Sequence, residues 1–251
     1  MPTEIVESVS VTPVPSSYQK ELGKNAYADN RGTQWLEWVV RAKSTSGAEG
    51  ITIANRFMRQ GTVANLLEYL NGALLGREVD SLLEISSGVV TGAGPGMGRW
   101  YRGNGWLSIL AFDLVGKVHN TSAIDLLGGR KHDSVPAYDT TLYFQDFLVP
   151  ERGALQVADE AAAAVADGWR ELKIKTGRGG RWMMPEAGMR RDIDVVLGVR
   201  DAVGPDVKIY VDANFGYDNH LDLLDRFIAE VTPADIFWFE EMITHDVDGY
   251  R

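Results

Sequence analysis

The chain has 251 residues and a formal net charge of −10. This length is sufficient for one large domain or two ordinary ones with a sizeable core. The negative charge argues against a general nucleic-acid or anionic-membrane partner, because either would require a basic surface. The sequence contains no cysteine, which excludes disulfides, thiolate catalysis and zinc–thiolate sites.

The first residues and the overall hydropathy predict a cytoplasmic protein by default. Residues 1–7 have neither the basic stretch nor the apolar stretch of a signal peptide. No apolar run approaches the length that crosses a bilayer. We therefore expect neither a signal peptide nor a membrane span.

The beginning of the chain predicts a strand followed by a long loop. Residues 5–11 alternate between apolar and polar side chains, and Pro13 and Pro15 are expected to end this strand. Residues 16–33 are polar and show no period, which predicts a mobile loop.

Further strands and then helices are expected before residue 130. Segments 34–43 and 51–54 predict the rest of an antiparallel meander. A helix capped by Thr62 follows, and residues 105–119 form a second amphipathic pattern. The glycine-rich segment 92–98 fails the spacing of a dinucleotide-binding loop, so we interpret it as a flexible loop.

The pattern then changes to alternating strands and helices, which is typical of parallel β/α units. We place the domain boundary here and expect two domains, 1–133 and 134–251. The expected strands are 135–141, 171–175, 208–214 and 235–241, and the expected helices are 157–167, 186–203 and 219–230.

The segment Glu171-Leu172-Lys173-Ile174-Lys175 contains two lysines that are two residues apart. On a strand, residues i and i+2 point to the same face, so Lys173 and Lys175 should stand side by side. Neighbouring ammonium groups disfavour each other's protonation, which is one way to make a lysine a base near neutral pH. The simpler interpretation is a solvated polar face.

Polar residues also end the later strands. Asp212 and Asn214 share one face of their strand, and Glu240 follows on the next. Parallel β/α arrays place their sites at the carboxyl ends of the strands, so these groups should converge with the lysines. Carboxylates there are suitable ligands for Mg²⁺, and the alternative is that they form salt bridges with the lysines.

The ordered set of Lys173-x-Lys175, Val-Asp212-Ala-Asn214 and Phe-Glu240-Glu241 resembles the enolase superfamily. It looks most like the mandelate racemase and acid-sugar dehydratase branch. The resemblance covers nearly the whole chain. It implies an α+β capping domain over residues 1–133, followed by the first four units of a (β/α)8 barrel of TIM type.

The resemblance also implies roles for individual residues. Asp212 and Glu240 would bind Mg²⁺, Lys175 would remove the proton α to a substrate carboxylate, and Lys173 would lower the pKa of Lys175. Further residues would line the substrate pocket, some of them from the 16–33 loop acting as a lid. The pocket residues are Asn214, Tyr138 and Thr140, and the lid candidates are Tyr18, Lys20, Tyr27 and Arg31.

The family pattern also implies parts that the four predicted units do not supply. A third carboxylate ligand and an acid partner would lie on later strands, so we expect the chain to be a portion of a longer protein. His245 is expected to be a surface residue rather than the acid. The resemblance further implies a homo-oligomer.

Three functions remain open on the sequence alone. The first is Mg²⁺-dependent dehydration of a sugar acid to a 2-keto-3-deoxy acid. The second is a racemase, epimerase or cycloisomerase with the same first step. The third is a catalytically inactive relative. The polar 16–33 segment and Asn214 favour a polyhydroxy acid substrate.

Overall fold

The computed structural model describes residues 3–30, 32–55 and 61–245. Its chain separates into two compact units. The first comprises Met1–Ser17 and Trp35–Val135, and the second comprises Tyr18–Gln34 and Pro136–Arg251. Among the described residues, every helix is too short or too polar to cross a membrane.

The elements before residue 135 are antiparallel strands followed by helices. The strands are β1 (Val6–Leu22), β2 (Gly32–Ser44), β3 (Glu49–Ile53), β4 (Leu83–Ser86) and β5 (Val89–Ala93). The helices are α1 (Val63–Leu74), α2 (Gly98–Tyr101), α3 (Gly105–Val118) and α4 (Ala123–Leu126), with a 3₁₀ turn at Val79–Leu82. Thr62 caps α1 as expected, because its side chain accepts a hydrogen bond from the Asn65 amide.

The expected end of the first strand is wrong. Strand β1 continues through Pro13 and Pro15 to Leu22, so much of the predicted 16–33 loop is strand, and the described residues of that loop outside the strands are 23–30. The sheet order is β1-β2-β3, which leaves β1 at an edge. Prolines are tolerated there because an edge strand can leave amide positions out of the ladder.

The glycine-rich segment 92–98 is packed rather than free. Strand β5 extends to Ala93, and a Cβ atom on Gly94 would lie 1.9 Å from the Ser81 carbonyl oxygen. The prediction of a flexible loop is therefore wrong at this point, because close backbone packing explains the glycine.

The second unit contains a parallel sheet with helices. Its strands are β6 (Asp139–Leu142), β7 (Glu171–Lys175), β8 (Lys208–Asp212) and β9 (Ile236–Glu240). Its helices are α5 (Ala154–Ala166), α6 (Pro185–Val203) and α7 (Leu221–Val231), with 3₁₀ turns at Gln145–Phe147, Arg178–Gly180 and Thr232–Ala234. The strands pair in chain order, β6-β7-β8-β9, and each pairing is parallel.

The expected strand at 135–141 begins later than its sequence suggests. Regular pairing starts only at Asp139, which lies opposite Leu172 of β7. Val135 is 80% exposed, so its β-branched side chain is not part of a buried strand face. Residues 135–137 are all exposed, so the alternation there lacks the burial that would support a strand.

One apolar core lies between this sheet and its helices. Leu172 and Ile174 of β7 are fully buried on the face opposite the lysines. Val196 and Val199 of α6 and Phe227 of α7 belong to the same buried cluster. Burial on this face fixes the register of β7, because a shift by one residue would place the lysines in the core.

Two glycines of α6 allow a test of how tightly the loops pack. A Cβ on Gly188 would lie 2.2 Å from the Gly179 amide nitrogen, whereas a Cβ on Gly198 would meet only Ala158 at 3.9 Å. We predict that Gly198→Ala stabilises the protein by about 0.5–1 kcal/mol, because alanine is the better helix former. Gly188→Ala should instead lower the unfolding free energy. Denaturant titration of both variants measures the difference, and equal stabilisation would contradict the packing argument.

Candidate active site

Parallel register places the charged residues of three strands in one row. Lys175 of β7 pairs with Asp212 of β8, and Asp212 pairs with Glu240 of β9. A second row lies one step nearer the amino ends, where Lys173 is opposite Tyr210 and Tyr210 is opposite Trp238. All these side chains share one face of the sheet, because they occupy alternate positions.

The ammonium groups bind the carboxylates directly. Lys175 Nζ lies 2.5 Å from Asp212 Oδ2, and Lys173 Nζ lies 3.1 Å from the same oxygen. Lys173 Nζ also donates to Glu240 Oε1 at 2.7 Å. Asp212 and Glu240 therefore share the Lys173 ammonium group. The salt bridges with the lysines, which the sequence analysis gave as the alternative to Mg²⁺ binding, are thus formed in the structure.

Both lysines are buried rather than solvated. Lys173 is 6% exposed and Lys175 is 7% exposed, while Asp212 is 1% exposed. The simpler interpretation of the lysine pair as a solvated face is therefore wrong. Buried charges require partners, and here each ammonium has a carboxylate.

The pKa values show which effect dominates. Burial lowers the pKa of Lys173, but its hydrogen bonds to Glu240 and Asp212 outweigh burial and raise that pKa above its ordinary value. The carboxylates therefore set the direction of the Lys173 pKa, and the role expected of Lys173 towards Lys175 stays a prediction. Burial raises the pKa of Asp212, but Lys175 and Lys173 outweigh it and leave that pKa below its ordinary value.

Strained backbone surrounds the carboxyl ends of β8 and β9. Asn214, Phe215 and Glu241 have φ angles of 44°, 65° and 45°. Side-chain and backbone bonds hold this geometry, since Asn214 donates its amide to Asp212 Oδ1 at 3.0 Å and its Nδ2 to Glu241 Oε2 at 2.9 Å. Strain of this kind is concentrated at functional sites.

Among the described residues, two buried side-chain oxygens near these strand ends, Asn214 Oδ1 and Thr176 Oγ1, have no hydrogen-bond partner. Asn214 Oδ1 is buried and accepts no hydrogen bond within the described part of the chain. An unsatisfied buried acceptor has a free-energy cost of about 1–3 kcal/mol. It therefore marks a position where a donor from a small molecule could bind.

Aromatic side chains lie next to the charged row, on the side nearer the amino ends of the strands. The Tyr138 ring centroid lies 5.3 Å from Lys173 Nζ and 5.2 Å from the Tyr210 ring. Tyr210 in turn contacts the Trp238 ring at 4.4 Å, and Trp238 Nε1 donates to Glu240 Oε2 at 3.3 Å. Thr140 is exposed in β6, and its place in the substrate pocket remains a prediction.

The lid candidates lie elsewhere in the second unit. Tyr18 and Lys20 line a cleft of about 460 Å³ along α5, and Lys20 pairs with Glu160 at 2.7 Å. Tyr27 is 51% exposed, and its carbonyl oxygen accepts a hydrogen bond from Arg181. Arg31 lies outside the described residues. The roles of these four residues remain predictions.

Sequence reasoning missed several residues that complete the site. Glu241 orients Asn214, and the Tyr143 ring centroid lies 5.7 Å from Lys175 Nζ. Arg178 is fully buried directly after the lysine strand. The doublet Glu240-Glu241 could have indicated the role of Glu241, but nothing in the sequence distinguishes Arg178 from a surface arginine.

His245 is exposed, as expected, and its ring contacts Phe215.

The donor set at this site suits a hard cation. Across residues 3–30, 32–55 and 61–245, no group of three or more His, Asp or Glu side chains could hold a metal ion. The site offers two carboxylates instead, Asp212 and Glu240, which converge on Lys173. Each carboxylate has about four lone-pair sites, so oxygen positions remain beyond the contacts described. Mg²⁺ commonly binds through one or two carboxylates and retains waters, so the residues fit it.

Part of the second unit is similar to known proteins in sequence. Residues 156–251 match the family model described as enolase C-terminal domain-like. D-galactarolactone cycloisomerase of Agrobacterium fabrum is 34% identical over 147 residues, which represent 57% of this chain and 35% of that protein. The chain thus spans about a third of this curated relative's length.

Solved structures resemble the chain over almost its whole length. A variant of galacturonate dehydratase from Geobacillus sp., crystallised with Mg, has a TM-score of 0.78 and 25% identity, covering 98% of this chain and 60% of that chain. A mandelate racemase/muconate lactonizing protein from Geobacillus sp. Y412MC10, complexed with magnesium/tartrate, has a TM-score of 0.78 and 26% identity, covering 100% and 61%.

The match to the enolase C-terminal domain-like family is thus confined to residues 156–251. The resemblance of the chain to the enolase superfamily and its mandelate racemase-like branch is confirmed. The predicted fold class, an α+β region followed by part of a TIM-like barrel, is confirmed as well.

The lowered pKa of Asp212 leads to a prediction about acid stability. A carboxyl group with a depressed folded-state pKa stabilises the fold above its unfolded pKa, and this contribution is lost as pH falls through the folded pKa. We predict that Asp212→Asn lowers the unfolding free energy at pH 7, by a few kcal/mol, because it leaves buried ammonium groups without their shared partner. The deficit relative to wild type should shrink below about pH 4, where even wild type begins to lose this contribution.

Denaturant unfolding from pH 7 to pH 3, in the presence of a chelator, measures this deficit. Glu230→Gln is the matched control, because it removes an exposed carboxylate that pairs with Arg190. Its effect should not exceed about 1 kcal/mol at any pH. A deficit for Asp212→Asn that stays constant across this range would contradict the pKa argument.

Proposed function

We propose that the protein carries out Mg²⁺-dependent removal of the proton α to a carboxylate, and that the reaction is dehydration of a sugar acid to a 2-keto-3-deoxy acid. The observation that carries this proposal is the row formed by Lys175, Asp212 and Glu240 at the carboxyl ends of three adjacent parallel strands. It combines a candidate base with two candidate oxygen ligands, and of these Lys175 and Asp212 are buried while Glu240 is partly exposed.

The chemistry requires both a base and concentrated positive charge. A proton next to a carboxylate is very weakly acidic, and its removal leaves the electron pair on an ene-diolate that carries two negative charges. Lys175, in its neutral form, takes that proton. Lys173 stands beside it on the same face, so its ammonium can stabilise the developing charge on the substrate carboxylate.

Asp212 and Glu240 are the residues that would hold Mg²⁺. When bound, the ion supplies a Lewis acid that stabilises negative charge on the substrate oxygens. The positions of both carboxylates are set by their own neighbours: the Asn214 amide holds Asp212, and the Trp238 indole holds Glu240. Such supporting contacts orient ligands and tune their affinity for the metal.

Dehydration then requires a hydroxyl group on the β-carbon. The carbon–oxygen bond breaks, hydroxide leaves with a proton from an acid, and the resulting enol becomes the 2-keto acid. The unpaired Asn214 Oδ1 supports a hydroxylated substrate, because it can accept a hydrogen bond from a sugar hydroxyl. The galacturonate and tartrate named with the similar structures are hydroxylated carboxylates too.

A racemase, epimerase or cycloisomerase is the second candidate. The similarity to a D-galactarolactone cycloisomerase favours it. These reactions share the first proton transfer with dehydration and differ from it in the later steps. A third candidate is a relative that binds Mg²⁺ without turnover, and the same experiment separates all three.

We predict that the full-length protein, incubated with Mg²⁺ and a panel of sugar acids in D₂O, forms a 2-keto acid from at least one of them. Lys175→Ala should reduce α-proton removal by about 10²–10⁴-fold, because the base is absent, while Mg²⁺ binding persists. The matched control is Lys208→Ala, since Lys208 is half exposed on β8 and pairs with Glu171. NMR measures deuterium uptake and keto acid formation together.

The outcomes distinguish the candidates. Deuterium uptake without a keto acid would exclude the dehydratase and favour a racemase or epimerase. A rearranged ring product would favour a cycloisomerase. Mg²⁺ binding with neither signal across the panel would favour the inactive relative, and equal activity of Lys175→Ala and wild type would remove Lys175 as the base.

A separate prediction concerns the metal itself. We expect Glu240→Gln to weaken Mg²⁺ binding by more than about tenfold, because an amide is a poorer ligand than a carboxylate. Glu171→Gln is the matched control, since Glu171 lies at the amino end of β7 and bonds Tyr210 and Lys208. Calorimetric titration with Mg²⁺ alone measures both. Equal weakening in the two variants would contradict the assignment.

A further inference from the structure

An arginine directly after the lysine strand is fully buried. Arg178 is 0% exposed and lies between two buried carboxylates. Its Nε and Nη2 donate to Asp146 at 3.0 and 2.7 Å, and its Nη1 donates to Asp192 Oδ1 at 2.6 Å. The guanidinium also covers the Phe144 ring, 4.2 Å from its centroid.

The same guanidinium contacts the backbone of the candidate base. Arg178 Nη1 donates to the Lys175 carbonyl oxygen at 3.3 Å. Asp192 Oδ2 holds the following residues, because it accepts from the amides of Gly177 at 2.8 Å and Arg178 at 3.3 Å. Two side chains therefore hold the backbone here: Arg178 bonds the Lys175 carbonyl oxygen, and Asp192 bonds the amides that follow it.

Asp192 also reaches the loop after β8. Its Oδ2 accepts a hydrogen bond from the Tyr217 hydroxyl at 2.9 Å. Burial and the neighbouring Asp192 carboxylate raise the pKa of Tyr217, so the hydroxyl keeps its proton at neutral pH. The loops after β7 and β8 also approach closely, since a Cβ on Gly216 would lie 2.5 Å from Gly177 Cα.

Asp146 extends the network to the loop after β6 and to residues 21–24, which we call the hairpin tip because they lie where β1 ends and the chain turns towards β2. Its neighbour Gln145 accepts from the Gly23 amide at 2.8 Å and donates to the Glu21 carbonyl oxygen at 2.8 Å. Phe144 donates its amide to the Lys24 carbonyl oxygen at 2.9 Å. A continuous set of bonds thus runs from the tip, through residues 144–146 and Arg178, to Lys175.

We propose that Arg178 is a positioning residue that fixes the backbone of Lys175 and links it to the docked hairpin tip, residues 21–24. This inference rests on the proposed function for its catalytic consequence, and on the contacts alone for its structural one. A base must reach its proton with an accuracy below about 1 Å, and a misplacement of that size costs about 10²-fold in rate. A buried arginine can supply that accuracy because its several fixed donors bind Asp146, Asp192 and the Lys175 carbonyl oxygen together.

The test compares Arg178→Lys with Arg190→Lys in the full-length protein. Lysine retains the charge but lacks the planar set of guanidinium donors. It therefore cannot hydrogen-bond Asp146, Asp192 and the Lys175 carbonyl oxygen at the same time. Arg190 lies on α6, is half exposed and pairs with Glu230. Asp146→Asn is a second test variant with nearly the same shape, and it decides the question if Arg178→Lys does not fold.

Three measurements are needed. We expect Arg178→Lys to lower kcat by about 10–10²-fold, with KM and Mg²⁺ affinity unchanged. The α-deuterium isotope effect on kcat should rise, because proton transfer becomes slower relative to other steps, whereas a smaller folded fraction would leave it constant. Hydrogen exchange should quicken in peptides covering residues 172–183 and 20–28. Arg190→Lys should change none of these quantities.

The hydrogen-exchange result separates the inference from the proposed function. If wild type removes no α-proton from any acid, the proposed function fails, and faster exchange in 172–183 would still support the positioning role. If exchange in 172–183 is the same in Arg178→Lys and wild type, the inference is wrong whatever the activity. A lower kcat with an unchanged isotope effect would also overturn it.

Discussion

The structure of the second unit depends on how two buried ammonium groups are paired. Lys173 and Lys175 point away from the apolar core and are almost entirely buried. Breaking a buried ion pair costs about 3–5 kcal/mol, so these lysines require carboxylates at fixed positions. Parallel register supplies Asp212 opposite Lys175 and Glu240 one strand further. The same pairing that makes the sheet possible therefore assembles the candidate site.

This arrangement makes stability and chemistry compete for the same groups. Asp212 uses Oδ2 for both ammonium groups and Oδ1 for the Asn214 amide, so both of its oxygens are already engaged, although lone-pair positions remain on them. A bound cation or substrate must share or replace these contacts. Strained backbone at Asn214 and Glu241 fits such a site, because strain is tolerated where the surrounding structure over-determines it.

The sequence predicted the sheet well because its pattern is local. Strand β7 was predicted at its observed bounds, since Leu172 and Ile174 alternate with the lysines in a short run between turns. The convergence of Lys175, Asp212 and Glu240 followed from the rule for parallel strand ends. The long β1 was missed because Pro13 and Pro15 are compatible with a strand only at a sheet edge, and edge position is a property of the assembled sheet.

Arg178 was beyond sequence reasoning for a related reason. Its partners are separated from it by 32 residues for Asp146 and 14 for Asp192, and neither stands in a recognisable motif with it. Only the folded chain brings the segment after β6, the end of β7 and helix α6 together around one guanidinium. Buried arginines are also expensive to desolvate, and apolar replacements are often as stable. A fully buried arginine that bonds the backbone of the candidate base is therefore better explained by the geometry it imposes than by the stability it adds.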